Sequence, residues 1–288
     1  TPELKDAVLK ITLIESSVEN LDLSKIKVKQ GGTTIVPSFS NEYKSVEFKS
    51  VDNGPTIIEA IPDGTYTLEE TASPAGYAVT SKFTFKVEDG KVITLNSETN
   101  GEYKIDSKTN EIVVLDRPAV TISKKAVGGT DELPNAEMQL SGVDADGNEI
   151  AITEKMIGST FVKDVAGEGN KFEQGEYKIE KNVLTWISHE KNQMQLVSLP
   201  DGTYTLKETA APEGYTVVSE FTFTVKDGKV TEVKTETTGE VELDKETGKI
   251  TVLDKASEIH ISKKEIAKSE ELPGAILRVV LEEANDKN

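Results

Sequence analysis

The side chains that most often perform catalysis are scarce in this chain. It contains no cysteine and only two histidines, His189 and His260, which lie far apart in the sequence. The absence of cysteine excludes disulfides, thiolate nucleophiles and Cys-ligated zinc or iron–sulfur sites. Two distant histidines leave little material for a metal cage or a Ser/His/Asp triad, and we interpret His189 as a loop residue. We therefore predict no cofactor and no metal site.

Two acidic motifs have the residue types of known sites but the wrong spacing. Residues 144–149, Asp-Ala-Asp-Gly-Asn-Glu, have glycine at the fourth place of a calcium loop instead of the sixth, and no glutamate at the twelfth. We interpret them as a hairpin turn. Glu69 and Glu70 are adjacent, and adjacent strand residues face opposite sides, so they cannot flank one glycosidic bond. The single tryptophan, Trp186, is more simply explained by core or interface packing than by sugar binding.

Charge and length limit the kinds of partner. The chain has 33 Lys and Arg against 51 Asp and Glu, a net charge of −18 over 288 residues. Nucleic acids and anionic membranes both attract clustered basic residues, so we predict neither as a partner. We find no signal peptide and no membrane span, and expect an excised, soluble fragment of a longer protein. With 36% hydrophobic residues the chain can still build cores, and its length predicts two domains.

A long internal repeat sets the domain organisation. Residues 63–116 and 201–254 align without a gap at an offset of 138, with 32 of 54 positions identical. This period has the length of a whole domain rather than of a solenoid unit, so it predicts a tandem array.

A second repeat marks where each unit starts. Ile-Ser-Lys-Lys at 122–125 is followed by Glu-Leu-Pro-Asn-Ala at 132–136, and the same order recurs at 261–264 and 271–275. From the two repeats we place three units, the third containing only its start, at residues 1–118, 119–255 and 256–288.

The local pattern within each unit is that of β-strands. Phe221, Phe223 and Val225 alternate with polar residues, which is the period of a half-buried strand. Asp-Gly at 227–228 then predicts a tight hairpin, and residues 83–92 repeat this arrangement. Because helical periodicity is weak and short strands with turns recur, the sequence predicts an all-β fold of β-sandwich domains.

The repeated segments resemble a known family. Residues 204–215, Tyr-Thr-Leu-Lys-Glu-Thr-Ala-Ala-Pro-Glu-Gly-Tyr, and their copy at 66–77 resemble the E-box of Gram-positive surface proteins. With Ile-Ser-Lys-Lys near the start, Ile-Thr-Val-Leu-Asp near the end and a related strand at 185–188, the units resemble the collagen-adhesin B-type (Cna B) domain. This SpaA-like or prealbumin-like domain is found in pilins and adhesin stalks. The resemblance implies tandem inverse immunoglobulin-like (prealbumin-like) β-sandwich domains.

The resemblance also implies an intramolecular isopeptide bond between a lysine on the first strand and an Asp or Asn on the last, promoted by a buried E-box glutamate. By position, the second unit offers Lys124, Asp254 and Glu208 for these roles. Strand phase agrees, because Lys124 is in phase with Val120 and Ile122, which predicts an inward side chain. Burial favours the neutral forms of amines and carboxylic acids, and the neutral amine is the nucleophile. Protonated Glu208 would polarise the Asp254 carboxyl and carry the proton lost by the amine.

The first unit departs from this pattern. Glu70 and Asp116 stand at the matching positions, but aligning the first strands of the two units places Leu13 where Lys124 stands. The nearest amine, Lys10, falls out of phase with the inward positions of its strand. Either the strand register differs or this unit lacks the bond, and we favour absence of the bond.

The third unit has an amine without partners. Its matching lysine is Lys263, and the corresponding acidic residues would lie beyond Asn288. We therefore expect Lys263 to be unreacted.

Residues 143–182 form a long, polar, glycine-rich insertion in the second unit. Its glycines include Gly158, Gly167, Gly169 and Gly175. Because loops on rigid scaffolds often carry recognition, this insertion is the candidate for ligand contact, with an ordinary extra hairpin as the simpler interpretation.

These observations predict a structural protein of the Gram-positive cell surface, part of an adhesin stalk or pilus shaft whose wall anchor lies outside this segment. Its single-turnover self-cross-linking is not enzyme activity, and its partners would be neighbouring domains or subunits of the same array. One alternative is a module that binds a host matrix protein or glycan. Another, an accessory carbohydrate-binding domain, is disfavoured by an aromatic content of 6%. Because no sortase motif or pilin motif is found, a stalk is favoured over a shaft.

Overall fold

The computed structural model describes residues 3–40, 42–80, 82–94, 103–158, 177–218, 220–236, 239–266 and 268–280. Strands dominate these residues, as the alternation of apolar and polar side chains predicts. The one helix among them is a single 3-10 turn, Glu154–Met156. The all-β prediction is confirmed.

The strands are numbered in chain order. Those before residue 117 are β1 (Val8–Glu15), β2 (Lys27–Gln30), β3 (Thr33–Ile35), β4 (Ser38–Phe39), β5 (Ser45–Lys49), β6 (Ile57–Glu59), β7 (Gly64–Ala72), β8 (Tyr77–Ala78), β9 (Phe83–Glu88), β10 (Lys91–Thr94), β11 (Tyr103–Asp106) and β12 (Glu111–Val114). Those that follow are β13 (Arg117–Ala126), β14 (Glu137–Val143), β15 (Tyr177–Glu180), β16 (Val183–Ile187), β17 (Met194–Val197), β18 (Gly202–Ala210), β19 (Phe221–Lys226), β20 (Lys229–Lys234), β21 (Val241–Asp244) and β22 (Lys249–Asp254).

The strands before residue 117 surround one core. Eleven of the twelve form a six-stranded sheet in the order β10-β9-β7-β1-β5-β4, a three-stranded sheet β3-β2-β6 and the pair β11-β12, whereas β8 pairs with the start of β13. Each of the three contributes buried side chains to the same apolar cluster, among them Tyr66, Val28 and Tyr103. The first unit is thus held by a core of its own.

The strands from β13 onward form a two-layer sandwich. One layer is a six-stranded sheet in the order β15-β16-β14-β18-β19-β20, and the other runs β17-β13-β22-β21. Leu140 and Tyr204 of the first layer pack with Val120 and Ile250 of the second in a single buried cluster. Burial of both inner faces against each other is what stabilises such a sandwich.

The hairpins predicted from Asp-Gly pairs are present in both units. Asp89 and Gly90 connect β9 to β10 with φ angles of 51° and 69°, and Asp227 and Gly228 connect β19 to β20 with 52° and 73°. Positive φ at both central residues matches the twist of the flanking strands.

The first and last strands of the second unit, β13 and β22, lie side by side and run parallel. In this register Lys124 lies opposite Val252, and Ala126 lies opposite Asp254. The other edge of β13 pairs with β17, but only from Ala119 to Ile122. The lysine therefore stands where β13 has a strand on one side alone.

The alignment of β1 with β13, which placed Leu13 at the lysine position, is wrong. β1 pairs with β7 as β14 pairs with β18, so that Leu9 lies opposite Glu70 just as Met138 lies opposite Glu208. β1 is therefore the counterpart of β14. Alternation alone could not distinguish the two strands, because both have apolar residues at every second position.

Only the ends of the predicted insertion at 143–182 are described, and Gly167, Gly169 and Gly175 lie outside the described residues. At the end of the first described part, residues 143–158, the Gly158 N–H donates to the Gln195 carbonyl at 2.8 Å. At the end of the insertion, β15 and β16 form an ordinary hairpin that adds an edge strand to the larger sheet.

Candidate functional site

Three ionisable side chains meet inside the second unit. Lys124 projects from β13, Asp254 from the end of β22 and Glu208 from β18 in the opposite sheet. All three are buried, with exposed fractions of 3%, 0% and 3%. The sequence thus predicted correctly that all three point inward, and the structure brings them together.

The lysine amine contacts both carboxylates. Lys124 Nζ donates to Asp254 Oδ1 and lies 2.9 Å from Glu208 Oε1. The other oxygen of Glu208, Oε2, accepts the Val218 N–H at 2.6 Å. Glu208 is therefore fixed by the backbone on one side while its free oxygen faces the amine.

The electrostatics of the site raise the pKa of the Asp254 carboxyl. Burial raises its pKa to about 6, opposed by the adjacent Lys124 amine and reinforced by the charge and hydrogen bond of Glu208. Two carboxylates around one ammonium leave an excess negative charge in an apolar core, and holding one extra proton removes it. An amine held between two carboxyl groups, one of which binds a proton more readily than an ordinary aspartate, is an arrangement suited to condensation.

The first unit has the acids without the amine. The buried Glu70 accepts the Thr80 N–H through Oε2 at 2.6 Å, and the Thr80 hydroxyl donates to Asp116 Oδ1 at 3.0 Å. Burial raises the pKa of Asp116, against the lowering effect of the Thr80 hydrogen bond. Within the described part of the chain, no lysine forms an ion pair with Asp116.

Lys10 is not the counterpart of Lys124. It lies opposite Glu69 on β7 and Glu47 on β5, and its neighbour Leu9 is the residue opposite Glu70. Since adjacent residues of a strand face opposite sides, the Lys10 side chain points away from the Glu70 carboxyl. No described strand takes beside β12 the place that β13 takes beside β22.

Comparison with known proteins identifies the family. The family model described as "SpaA: Prealbumin-like fold domain" matches residues 2–102 and 118–239. The chain belongs to the SpaA family of prealbumin-like domains. This confirms the resemblance drawn from the E-box motifs and the prediction of tandem prealbumin-like sandwich domains.

Solved structures of similar proteins include surface components of Gram-positive bacteria. The chain is 16% identical to the shaft pilin SpaA of Lactobacillus rhamnosus GG, with a TM-score of 0.30 and 90% of each chain covered. It is 15% identical to a C-terminal fragment of the pilus adhesin SpaC of the same organism, with a TM-score of 0.27 and coverage of 89% and 92%. It is 21% identical to the Bacillus anthracis TIE protein, with a TM-score of 0.25, and covers 31% of that chain. No curated protein matches the chain.

At the start of the third SpaA-like unit, the side-chain amine of the matching lysine has no carboxylate partner among the described residues. Lys263 is exposed and forms no ion pair with any described residue. Its backbone N–H donates to Glu271 Oε2 at 3.0 Å, and the Ser262 hydroxyl donates to Glu271 Oε1 at 2.5 Å. The same two bonds occur around Lys124 of the second unit, with Glu132 as the acceptor.

Glu132 is a site residue that motif analysis did not assign. The Glu-Leu-Pro segment marks the start of a unit in the sequence, and its motif alone indicates no contact with the lysine. The usable signal was its fixed distance from the lysine: a glutamate follows eight residues after Lys124 and eight after Lys263.

The remaining motifs of this SpaA-like chain have structural explanations. Asp144 Oδ1 accepts the N–H groups of Asp146 and Asn148 at 2.9 and 2.8 Å, which makes the segment a hairpin turn. Hydrogen bonds from Asn148 lower the pKa of Asp144. Trp186 is 3% exposed and belongs to the core of the second unit, and His189 Nδ1 accepts the Lys191 N–H within a loop.

Two kinds of feature are absent from the described residues. No three acidic, histidine or cysteine side chains lie together as a cation site would require. No helix in the described ranges has the length and hydropathy of a membrane span.

Proposed function

We propose that this chain is a load-bearing segment of a Gram-positive surface protein, part of an adhesin stalk or pilus shaft, with an isopeptide bond between Lys124 and Asp254 in its second unit. The observation that carries the proposal is the direct contact of the buried Lys124 amine with Asp254, with Glu208 at 2.9 Å. Membership of the SpaA prealbumin-like family supports the structural role and an extracellular location. Its partners are then neighbouring domains or subunits of the same array.

The reaction is a condensation within the folded chain. The neutral Lys124 amine attacks the carboxyl carbon of Asp254, whose electrophilicity a protonated Glu208 increases by hydrogen bonding. Glu208 gives its proton to the departing hydroxyl and takes one from the nitrogen. One C–N bond forms, one C–O bond breaks and one water leaves. Because the protein is both reactant and product, each molecule reacts once, which is not enzyme turnover.

The bond would change how the second unit carries force. The two residues are 130 positions apart, yet they occupy the first and last strands, which lie side by side. Force entering at β13 would cross from Lys124 to Asp254 and leave at residue 255, bypassing the rest of the sandwich. By analogy with disulfides, closing such a loop contributes about 5 kcal/mol to stability.

The intact mass of the denatured full chain tests the proposal. We expect the wild type to be about 18 Da lighter than its sequence mass, one water for one bond. Glu208→Ala should restore the sequence mass. A deficit of two waters would show that the first unit also reacts, and a wild type at full sequence mass would reject the cross-link and leave a stalk held by packing.

A further inference from the structure

The edge of β13 changes partner at the reactive lysine. Antiparallel pairing with β17 ends at Ile122, whereas pairing with β22 continues on the opposite edge to Ala126. The backbone groups of Lys124 that face away from β22 are therefore not bonded to a strand. Left without partners in the interior, they would cost free energy and leave the lysine backbone loosely held.

Glu132 and the residue after it supply those partners. The Lys124 N–H donates to Glu132 Oε2 at 2.9 Å, and the Leu133 N–H donates to the Lys124 carbonyl at 2.7 Å. Glu132 Oε1 accepts the Ser123 hydroxyl and the Gln193 side-chain amide, both at 2.6 Å. The carboxylate therefore binds the lysine backbone, the preceding side chain and the loop before β17 at once.

Ser123 shows that this contact is built into the interior. Its side chain lies on the face of β13 opposite to that of Lys124, but it is 0% exposed. Its hydroxyl donates to the charged Glu132, and hydrogen bonds to ionised acceptors are shorter and stronger than neutral ones. Rotation of β13 about its axis, which would move the Lys124 amine away from Asp254, would break this bond.

The same arrangement recurs where the rest of a sandwich is not present. In the third unit, Glu271 accepts from the Ser262 hydroxyl and the Lys263 N–H, and the Leu272 N–H donates to the Lys263 carbonyl at 2.7 Å. The described residues around Lys263 are exposed. The contact thus depends on local sequence and does not require burial between two sheets.

We propose that Glu132 is a positioning residue for cross-linking: it fixes the backbone of Lys124 so that the amine meets Asp254 at bonding distance. The inference rests on the proposed isopeptide bond and adds a residue to it. Glu132 does not touch the reacting atoms, and it acts through the Lys124 backbone. Reaction rates fall steeply when a nucleophile is displaced by about 1 Å. Losing the hydrogen bond from Glu132 should therefore slow the formation of the isopeptide bond without abolishing it.

The test is a time course of bond formation in newly synthesised full-length chain. Cell-free synthesis is stopped with inhibitor, samples are quenched in acid denaturant at intervals, and the fraction that has lost water is read by intact mass. Wild type is compared with Glu132→Ala and Glu132→Gln. The matched control is Glu271→Ala, which removes the same contact one unit further along.

We expect Glu132→Ala to slow the loss of water about tenfold or more. Glu132→Gln should recover at least half of the wild-type rate, because its amide oxygen still accepts from the Lys124 N–H, while its amide NH2 donates to the Ser123 hydroxyl oxygen and to Gln193 once that side-chain amide turns its oxygen inward. Glu271→Ala should react at the wild-type rate. This pattern separates hydrogen-bonded positioning from the effect of a negative charge.

The effect of Glu132→Ala on folding is measured separately in a Glu208→Ala background, where the isopeptide bond is not expected to form. Trp186 fluorescence there reports the folded fraction with and without Glu132→Ala. The proposal is overturned if Glu132→Ala reacts as fast as wild type, if Glu132→Gln is as slow as Glu132→Ala, if Glu271→Ala is equally slow, or if the folded fraction falls as much as the rate.

The outcome also distinguishes this inference from the proposed function beneath it. Loss of water in the wild type with an unchanged rate in Glu132→Ala rejects the positioning role and leaves the cross-link standing. A wild type that never loses water rejects both.

Discussion

At the scale of single residues, the chemistry of the site depends on how many protons Lys124, Asp254 and Glu208 hold in total. With Lys124 charged and both acids ionised, the site has a net charge of −1. The form that the proposed condensation requires, with a neutral amine and two neutral acids, contains one proton more than that state. The same extra proton on Asp254, with the amine still charged, gives a neutral site that differs from the reactive form only by proton transfer from Lys124 to Glu208. The amine therefore needs no exchange with solvent in order to become a nucleophile.

This proton count predicts how the rate of cross-linking depends on pH. The pKa of Asp254 is raised to about 6 by burial and by Glu208, so above pH 6 the protonated fraction of Asp254 falls about tenfold per unit. The rate should therefore rise as pH is lowered from 8 to 6 and level off below 6. The measurement is the quenched mass time course in buffers of equal ionic strength. A rate that decreases over that interval would mean that the bond forms from a state with fewer protons.

At the scale of elements, strand phase was predictable and strand pairing was not. The inward orientation of Lys124, Glu208 and Asp254 follows from period-two alternation, which the sequence displays directly. The counterpart of β1 in the second unit does not follow from alternation. Leu9 and Ile11 alternate with their neighbours in the same way whether β1 pairs with β7, as β14 pairs with β18, or with the last strand of a unit, as β13 does. Pairing depends on backbone contacts across many residues, and these have no local signal.

The junctions between units have no local sequence signal for the same reason. The Gly76 carbonyl accepts the Ala119 N–H at 2.9 Å, and the Gly214 carbonyl accepts the Ser257 N–H at 2.8 Å. Each E-box turn thus forms a hydrogen bond with the chain segment that enters the next unit. Because these hydrogen bonds join backbone groups, no side-chain motif predicts them, although both glycines lie inside the repeated segment.

A substitution of Gly76, in the E-box turn of the first unit, should weaken the junction with the second unit and leave the next junction unchanged. Gly76 has a φ of 79°, a conformation that costs a residue with a Cβ about 1–2 kcal/mol. Gly76→Val should therefore speed hydrogen exchange at the Ala119 amide roughly tenfold, the equivalent of about 1.4 kcal/mol. The Ser257 amide, held by the unaltered Gly214 turn, is the internal control. Unchanged exchange at Ala119 would show that the turn does not hold the entering strand.

At the scale of the whole molecule, two units with similar E-boxes differ in what surrounds the acids. Asp254 meets an amine on the parallel strand β13, whereas Asp116 meets the Thr80 hydroxyl. The E-box glutamate and the final aspartate are therefore common to both units, but among the described residues only the second unit has an adjoining strand that brings an amine to them. If the proposed bond forms, the two units would behave differently under load, since the second alone would have a covalent path that avoids its hydrogen bonds.

Pulling the full chain from its two ends should reveal that difference. Because the chain contains no cysteine, one cysteine added at each end allows unambiguous attachment in a single-molecule force experiment. The wild type should show the extension of the first unit alone, because the bond shields the 130-residue loop of the second. Glu208→Ala should add a second event that releases on the order of 450 Å, at about 3.6 Å per residue. A wild type that shows both events would mean that the second unit is held by packing and hydrogen bonds, and that Lys124 and Asp254 form an ion pair and nothing more.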